Sequence, residues 1–272
     1  MKILLTGSSG YIGRNLIPKI IECGHEVYIL TRKQKDNLSK NKIHYITHNI
    51  YEDDISKKKI ETKFDLLIHL SWKNLPNYEK DIHINDSLLS ELYFFDQIKK
   101  LSILRYMVSG TCFEYGPYDG QVNENTLCTP NTPYGISKNL LYKHLVNQLF
   151  DSSKVQWLRL FYVFGNDQKE TSLYRSFHNA VNENKKQFYL SKGNKIRDFI
   201  HINNVVEKIL YLIKHPSIYG PINICSNNPI SIKEFVENQK KILKSSINII
   251  NKVQTKEEFD DYDFWGSSIY FN

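Results

Sequence analysis

The sequence predicts an α/β fold, in which a doubly wound parallel sheet is followed by a small C-terminal α+β lobe. The first observation behind this prediction is that apolar runs of strand length alternate with longer segments of helical periodicity up to about residue 165. The second is a glycine-rich turn that joins the first apolar run to the first helical segment. Strands that alternate with helices in this way favour a parallel sheet with helices on both faces.

Each predicted strand is a short run rich in Val, Ile, Leu and aromatic residues. The runs are Ile3–Leu5, Val27–Leu30, Phe64–Leu70, Tyr106–Ser109, Trp157–Phe164 and the late, short Ile222–Cys225. Helices are predicted over residues 11–23, 82–100 and 135–150, and another begins at Ser231. Pro18 lies inside the first helix and removes one of its backbone hydrogen bonds. Beyond residue 165 the alternation loosens, which predicts a smaller lobe completed by segments that return to the sheet.

Charge and cysteine usage narrow the class of protein. The 272-residue chain has a formal net charge of +7, which suits phosphorylated small molecules, nucleic acid or an anionic membrane surface. It has no stripe of arginines interleaved with aromatics and no apolar run near the roughly 18 residues of a membrane span, so we expect neither a nucleic-acid nor a membrane partner. The four cysteines lie far apart without C-x-x-C spacing, which indicates neither a metal site nor disulfides.

The N-terminal residues and the cysteines indicate where in the cell the protein is expected. The apolar run after Met1 stops at Thr6, which is too short for the core of a signal peptide. Cysteines without a disulfide framework are typical of a reducing compartment. We therefore expect a soluble, cytoplasmic protein.

Gly7, Gly10 and Gly13 follow the first predicted strand and open the first helix. Their spacing is G-x-x-G-x-x-G, one residue longer in the first gap than the G-x-G-x-x-G of dinucleotide-binding turns. The first glycine permits a tight turn, the second lets the backbone approach a pyrophosphate, and the third lets helix and strand pack closely. The helix N-terminus then faces the anion. A purely structural turn is the alternative, but the flanking strand and helix favour a dinucleotide site in a Rossmann-type sheet.

The end of the second strand predicts which dinucleotide binds. An acidic residue there would bind the ribose 2′-hydroxyl of NAD, whereas cations accommodate the 2′-phosphate of NADP. The sequence places Thr31, Arg32 and Lys33 at that point, with no acid before Asp36. We therefore expect NADP(H), with NAD(H) as the alternative if Asp36 reaches back. A solvated basic loop without a ligand is the other interpretation.

Tyr134 and Lys138 are spaced i and i+4, which places them on one face of a predicted helix. A tyrosine is a poor acid–base catalyst near pH 7 unless its anion is stabilised, and Lys138 can supply that charge and also hold a ribose. The Thr132–Pro133 pair is a helix-start signal that puts Tyr134 in the first turn. Ser109 and Thr111 offer hydroxyls on a neighbouring strand end. Together with the glycine turn, this pattern predicts a site that holds an alcohol or a ketone.

Several segments together resemble the extended short-chain dehydrogenase/reductase family, in particular the group that acts on nucleotide sugars. They run over most of the chain and are TGSSGYIG, FDLLIHLSW, SGTCFEYG, TPYGISK, LRLFYVFG and KIRDFIHINNVV. In that family the active hydroxyl lies four residues before the tyrosine of a Tyr-Gly pair, and counting back from Tyr115 gives Thr111. The resemblance therefore implies a catalytic triad of Thr111, Tyr134 and Lys138.

The resemblance also implies which residues hold the cofactor and the substrate. The implied cofactor residues are Gly7, Ser9, Gly10, Tyr11, Ile12, Gly13, Thr31, Arg32, Leu70 and Ser71, together with Tyr134 and Lys138. The implied substrate residues are Trp72, Thr111, Cys112, Phe113 and Arg197. From the residues alone, alternatives stay open: Arg197 could form a surface ion pair with Asp198, and Trp72 could serve packing. His69 is interpreted as a core or cofactor-lining histidine.

Departures from the family pattern narrow the reaction. Dehydratases of the family carry an Asp-Glu pair after the active threonine, where this sequence has Cys112 and Phe113, which cannot carry the acid–base work of water loss. Glu114, one residue further on, would point differently on an extended segment. Reductase-epimerases carry a cysteine two residues after the active hydroxyl, a position that is Phe113 here. Asn204 replaces a usual aspartate and Tyr162 a usual asparagine, which affects the lobe rather than the triad.

Simple hydride transfer to a keto sugar remains. We expect an NADPH-dependent reductase of the 4-keto group of a nucleotide-diphospho 4-keto-6-deoxyhexose, made for surface polysaccharide such as O-antigen, and most like the 4-ketoreductases that form CDP-abequose or CDP-paratose. An NAD-dependent nucleotide-sugar 4-epimerase and a non-catalytic NADP-binding protein are the alternatives. The expected domains are a Rossmann domain over 1–165, completed by about 194–225, and a substrate-binding lobe over 166–193 and 226–272. In the family that the chain resembles, helices beside the sheet often pair two subunits, so the resemblance implies a homodimer.

Overall fold

The structure is a computed structural model that describes residues 1–32, 42–58, 60–252 and 262–271. The strands in these ranges are β1 (Lys2–Thr6), β2 (Glu26–Thr31), β3 (Ile43–Thr47), β4 (Leu66–His69), β5 (Tyr106–Thr111), β6 (Gly120–Val122), β7 (Val155–Leu160), β8 (Tyr162–Phe164), β9 (Gln187–Leu190), β10 (Ile196–His201), β11 (Gly220–Ile224), β12 (Pro229–Ser231), β13 (Asn248–Asn251) and β14 (Phe264–Gly266). The α-helices are α1 (Tyr11–Glu22), α2 (Leu89–Ile98), α3 (Pro133–His144), α4 (Leu173–Asn182), α5 (Ile202–Lys214) and α6 (Ile232–Ile242). Among the described helices, none is long and apolar enough to cross a membrane.

A seven-stranded parallel sheet forms the centre of the fold. Its strand order is β11-β7-β5-β4-β1-β2-β3, and every neighbouring pair in it is parallel. The chain steps from β1 out to β3, returns to β4 beside β1, and then steps out the other way. This reversal is the hallmark of a doubly wound sheet, so the predicted fold class is confirmed.

Different helices cover the two faces of this sheet. α1 and α5 cover one face, where Leu16 and Val205 belong to a buried cluster with the sheet residue Ile3. α2 and α3 cover the other face, where Phe95 and Leu141 are buried in a second cluster. Apolar side chains on both faces of a parallel sheet explain why its strands read as continuous apolar runs.

Some predicted elements differ from the structure. The predicted strand over Trp157–Phe164 is wrong as one element, because it breaks at Phe161 into β7 of the main sheet and β8, which pairs with β10 in a separate sheet. An apolar run does not show where a chain changes sheets. The edge strand β3 has no counterpart in the prediction, since its residues are only partly buried. α1 continues through Pro18, which lies on the exposed side of the helix.

The second half of the chain builds smaller layers. β8, β10 and β12 form a three-stranded sheet, β9 pairs with β13, and β14 pairs with β6. Helices α4 and α6 contribute Phe177 and Phe235 to a core cluster of this region, with Leu190 and Ile249 from its strands. β11 returns to the edge of the main sheet. The division of the chain into two domains at the expected boundaries stays a prediction.

The carboxyl ends of the central strands carry the residues of interest. Thr6, Thr31, His69 and Thr111 are the last residues of β1, β2, β4 and β5. Ligands of doubly wound sheets bind in the crevice outside these ends. The loops that follow them therefore form the candidate site.

We predict that glycine is required at position 7 both by its backbone conformation and by the close packing of its neighbours. At position 24, glycine is required by the backbone conformation alone. Both have positive φ, +74° at Gly7 and +86° at Gly24. A Cβ at Gly7 would lie 2.7 Å from the carbonyl carbon of Leu70, but a Cβ at Gly24 would meet nothing within 4 Å. Gly24→Ala should lower the free energy of unfolding by about 1–2 kcal/mol. Gly7→Ala should lower it by clearly more, measured by urea denaturation, and equal losses would contradict this.

Candidate active site

The turn after β1 is shaped for an anion. A Cβ at Gly13 would lie 2.3 Å from the carbonyl oxygen of Gly7, so the helix can approach the turn this closely only with glycine. Gly10, the residue before α1, makes no side-chain hydrogen bond to the first turn, whereas Thr132 and Ser231 cap α3 and α6 with their hydroxyls. The N–H groups at the start of α1 are thus left for a ligand. This geometry fits the pyrophosphate of a dinucleotide.

The other predicted cofactor residues surround this turn. Leu70 and Ser71 follow β4, and their backbone atoms lie within 2.9 Å of the position that a Gly7 Cβ would take. The carbonyl of Ser9 accepts a hydrogen bond from Arg14 at 2.6 Å. Ile12 packs against the core on one face of the sheet.

Tyr11 lies at the start of α1 with its hydroxyl turned inward. Burial raises the pKa of Tyr11. Its oxygen has no hydrogen-bond partner within the described parts of the chain. A half-buried phenol with an unmet hydrogen bond beside the glycine turn is compatible with a ligand at this place.

The end of β2 carries Thr31 and the exposed Arg32, as predicted. The positive charge of Arg32 lowers the pKa of Tyr51, although burial raises that pKa overall. Tyr51 in turn interacts with Ser71, so the end of β2 and the end of β4 border the same space. Lys33 and Asp36 lie outside the described residues.

The structure brings Thr111 and Tyr134 together. Tyr134 is in the first turn of α3, whose N-cap Thr132 accepts a hydrogen bond from Gly135 N–H at 3.1 Å. The Thr111 side chain accepts the Phe113 N–H at 3.3 Å. Because a hydroxyl has one proton to donate, that proton remains available, and the Thr111 hydroxyl lies close enough to the Tyr134 phenol to lower its pKa.

Aromatic rings enclose the Tyr134 phenol. The rings of Trp72, Tyr78 and His83 lie with their centroids 5.8, 5.3 and 5.1 Å from that of Tyr134, and Phe113 lies at 6.3 Å. Burial among these groups raises the pKa of Tyr134, and the nearby Glu114 and Tyr78 act in the same direction. Tyr134 therefore holds its proton at neutral pH.

Lys138 is a buried cation one helical turn from Tyr134. Its ammonium donates a hydrogen bond to the Ser109 carbonyl at 2.7 Å and lies 4.0 Å from the centre of the Trp72 ring. Burial lowers the pKa of Lys138 to about 8, against the opposing effect of Glu91 and Glu114. Of the two hydroxyls considered on this strand, Ser109 thus serves Lys138 through its backbone, and Thr111 is the one that meets Tyr134.

Two of the predicted substrate residues, Cys112 and Phe113, directly follow Thr111. Cys112 is buried, which raises the pKa of its thiol, and the charge of Arg197 lowers that pKa in part. The Arg197 guanidinium lies 5.4 Å from the Tyr162 ring centre and donates to the Tyr262 carbonyl at 2.6 Å. The alternative interpretation of Arg197, a surface ion pair with Asp198, is wrong, because the two residues are only 1% and 0% exposed.

The prediction that Glu114 lies on an extended segment is wrong. Residues Cys112–Glu114 form a short 3-10 turn capped by Thr111. The turn directs the Glu114 carboxylate inward, where it accepts hydrogen bonds from the Thr111 N–H at 2.8 Å and from Arg159 Nε at 3.0 Å. The capping interaction between threonine and glutamate three residues apart overrides the extended geometry.

The interpretation of His69 as a core histidine is consistent with its burial, but the sequence did not reveal its partner Glu91. His69 is fully buried, with Nδ1 2.9 Å from the Thr6 hydroxyl and Nε2 2.7 Å from Glu91 Oε2. Tyr51 donates to the other Glu91 oxygen at 3.0 Å. The available signal was a lone carboxylate inside the apolar run SLLSELYFF. Within the described ranges, no group of three or more His, Cys, Asp or Glu residues could hold a metal ion.

Known proteins are similar in sequence to this chain over most of its length. The chain is 28% identical over 286 residues to the dTDP-6-deoxy-L-talose 4-dehydrogenase (NAD(+)) of Aggregatibacter actinomycetemcomitans, a match that covers 98% of this chain and 100% of the relative. It is 27% identical to the CDP-abequose synthase of Yersinia pseudotuberculosis, over 78% of this chain and 73% of the relative.

Solved structures share the fold. The UDP-glucuronic acid 4-epimerase from Bacillus cereus, in complex with UDP-glucuronic acid and NAD, has a TM-score of 0.80 at 20% identity, covering 99% of this chain and 91% of that one. MoeE5 in complex with UDP-glucuronic acid and NAD has a TM-score of 0.79 at 19% identity, covering the same shares.

A family model that spans most of the chain identifies its family. The model of the NAD dependent epimerase/dehydratase family matches residues 3–225, which include the glycine turn and the Thr111, Tyr134 and Lys138 cluster. The resemblance to the extended short-chain dehydrogenases/reductases is confirmed by this match. The chain belongs to the NAD dependent epimerase/dehydratase family and is an oxidoreductase-type enzyme that uses a nicotinamide dinucleotide.

Proposed function

We propose that this protein reduces the 4-keto group of a nucleotide-diphospho 4-keto-6-deoxyhexose with NADPH, for the synthesis of surface polysaccharide. One observation carries the proposal: Thr111 and Tyr134 come together beside Lys138, with Cys112 and Phe113 where a dehydratase needs acids. A pair of hydroxyls can hold a carbonyl oxygen and protonate it. Water loss would need a further acid and base.

The roles of the three residues follow from their surroundings. Tyr134 keeps its proton because burial raises its pKa, so it acts as the proton donor to the developing alkoxide. Thr111 keeps its proton and donates a hydrogen bond to the same oxygen, which orients it. Lys138 has three N–H donors, and since Ser109 takes one, others can hold the ribose hydroxyls of the dinucleotide. The dinucleotide, when bound, supplies the hydride.

Glu114 and Phe113 argue against dehydration. The Phe113 ring packs at 5.2 Å from Tyr78 and 6.2 Å from Tyr162, so this position presents a hydrocarbon surface to the site. Both Glu114 oxygens accept hydrogen bonds from the protein, which leaves that carboxylate unsuited to proton transfer with a substrate. An apolar wall also suits the C6 methyl group of a 6-deoxy sugar.

The relatives support the substrate class. Two of them are named 4-dehydrogenases of 6-deoxytaloses, one linked to dTDP and one to GDP, and a third is a CDP-abequose synthase. Oxidation at C4 of a 6-deoxyhexose is the reverse of the reduction proposed here. The nucleotides of these relatives differ, so the proposed substrate is not limited to one nucleotide. Arg197 would contact the diphosphate that all of them share.

A 4-epimerase is the second candidate, because a putative UDP-glucose 4-epimerase of Methanocaldococcus jannaschii is 26% identical over 86% of this chain. Purification separates the two. An epimerase would carry tightly bound NAD and turn over without added reductant, whereas the reductase consumes one NADPH per product. The non-catalytic alternative is disfavoured by the intact Thr111, Tyr134 and Lys138 cluster.

The direct test is a panel of nucleotide sugars assayed with NADPH and with NADH. We expect loss of NADPH absorbance at 340 nm with 4-keto-6-deoxy sugars carrying CDP, dTDP or GDP, and none with sugars that bear a C4 hydroxyl. Epimerised product without reductant consumption would contradict the proposal. No NADPH oxidation with any keto sugar would favour a non-catalytic protein.

Tyr134→Phe should reduce kcat by about 10²–10⁴-fold, because it removes the proton donor while it leaves the ring packing in place. NADPH affinity, measured by fluorescence titration, should stay close to that of the wild type. Tyr142→Phe is the matched control, since Tyr142 lies on the same helix and packs against Trp157 rather than Tyr134. A Tyr134→Phe variant with normal turnover would exclude the mechanism.

Arg32→Ala should weaken NADPH binding by about tenfold, a loss of roughly 1.4 kcal/mol, and leave NADH binding unchanged. The physical reason is that Arg32 follows β2, where a 2′-phosphate would lie. Lys57→Ala, which removes an exposed cation from another loop, should change neither affinity. Equal effects on both dinucleotides would favour NAD, which the name of one relative specifies.

We also propose a homodimer formed through α2 and α3. Leu89 of α2 and Leu140 of α3 are 59% and 46% exposed, although both helices cover the same face of the sheet. Exposed leucines on neighbouring helices are typical of a surface that pairs with another copy.

A further inference from the structure

The Glu114 carboxylate is the meeting point of three elements. It is completely buried and accepts hydrogen bonds from the Thr111 N–H on β5 and from the Trp157 indole and Arg159 Nε on β7. Arg159 continues the chain of contacts, since its Nη1 donates to the Tyr115 hydroxyl at 3.1 Å. A buried carboxylate with all these donors has a single orientation.

Two glycines show how tightly the Glu114 turn is packed. A Cβ at Gly110 would lie 2.6 Å from Glu114 Oε1 and 2.3 Å from the Trp157 indole nitrogen. A Cβ at Gly135 would lie 2.5 Å from the Phe113 carbonyl oxygen, which brings the Tyr134 helix directly against the turn. The position of the Thr111 hydroxyl relative to Tyr134 therefore depends on the turn that Glu114 closes.

We propose that Glu114 is a positioning residue. Its buried carboxylate holds the Thr111 hydroxyl in place beside Tyr134 and supplies a negative charge that acts on Tyr134 and Lys138. This inference rests on the proposed function and deepens it. Glu114 does not touch the substrate. It acts through the Thr111 backbone, to which it is bonded directly, and through the electric field inside the site.

The charged groups that face Lys138 show how Glu114 acts on the pKa of this lysine. Lys138 is faced by Glu91 from α2 and Glu114 from the turn, and both raise its pKa, while burial lowers it to about 8. Burial lowers the pKa of His83, and the charge of Lys138 acts in the same direction.

Tyr134 is faced by a different set of titratable groups. Tyr78, Cys112 and Glu114 each raise the pKa of Tyr134. Since Glu114 favours the protonated form of both Lys138 and Tyr134, loss of its charge should lower both pKa values. If the role of Glu114 were merely structural, removing its charge would change neither the pKa of Lys138 nor that of Tyr134.

The test replaces Glu114 with glutamine, which keeps the shape and removes the charge. Glu124→Gln is the matched control, because Glu124 also accepts several hydrogen bonds, from Asn223 N, Ser268 Oγ and Ile269 N, but belongs to another loop. The first measurement is the Lys138 pKa in the protein without added ligand, by 13Cε-lysine NMR with Lys138→Arg as the assignment standard. It should be lower in Glu114→Gln than in the wild type and unchanged in Glu124→Gln.

The second measurement is the pH profile of kcat with the keto sugar that the wild type reduces. In Glu114→Gln, kcat should fall by about 10²-fold and its alkaline limb should move to lower pH, while KM for NADPH stays the same. Unchanged kcat and an unchanged Lys138 pKa in folded Glu114→Gln would overturn the proposal. So would a loss of kcat that is equal at every pH with an unchanged Lys138 pKa.

A glutamine at 114 leaves Arg159 buried without its counter-charge, which can prevent folding. The double variant Glu114→Gln/Arg159→Met removes both charges and restores a neutral pair, and it should show the same lowered Lys138 pKa and shifted profile. Wild-type values in this folded double variant would refute the inference. If the wild type reduces none of the keto sugars, the proposed function fails, but the NMR comparison still decides the role of Glu114.

Discussion

The close approach of α3 to the end of β5 is the constraint on which the site depends. Gly135 lies against the Phe113 carbonyl so closely that a methyl group there would sit 2.5 Å from it. This contact joins the helix that carries Tyr134 and Lys138 to the strand that ends in Thr111. The Thr111 and Tyr134 hydroxyls can approach each other only because helix and turn meet without side chains between them.

Buried charge is the second feature of the site. Lys138, Glu91, Glu114 and Arg159 all lie within a region that excludes water, and an isolated charge there would be costly. Each has a partner: the Ser109 carbonyl for Lys138, His69 for Glu91, and Arg159 for Glu114. The same burial keeps Tyr134 protonated, so one property of the site supports both its rigidity and the proposed proton transfer.

Much of the fold and of the site could be predicted from local patterns. The strand runs, the glycines after β1 and the helix start at Thr132 each report a short-range preference, and the structure has them where expected. The β7–β8 break was not predictable in this way, because it depends on a partner far along the chain, Ile224 for the Phe161 N–H. The turn at Glu114 has a local signature, the capping box with Thr111, but its buried partner Arg159 is distant in the sequence.

Short-range patterns in the sequence indicated the α/β class and the glycine turn, because glycine geometry, capping and hydrophobic period act over a few residues. The Thr111, Tyr134 and Lys138 set came from the resemblance to the family, and its catalytic role is a proposal. The tertiary structure alone shows that Tyr134 is enclosed by aromatic rings, that Trp72 lies on Lys138, and that Glu114 binds Arg159. These contacts join residues up to about 66 positions apart, Trp72 and Lys138. Their energies come from burial and electrostatics, which exist only once the chain has closed around them.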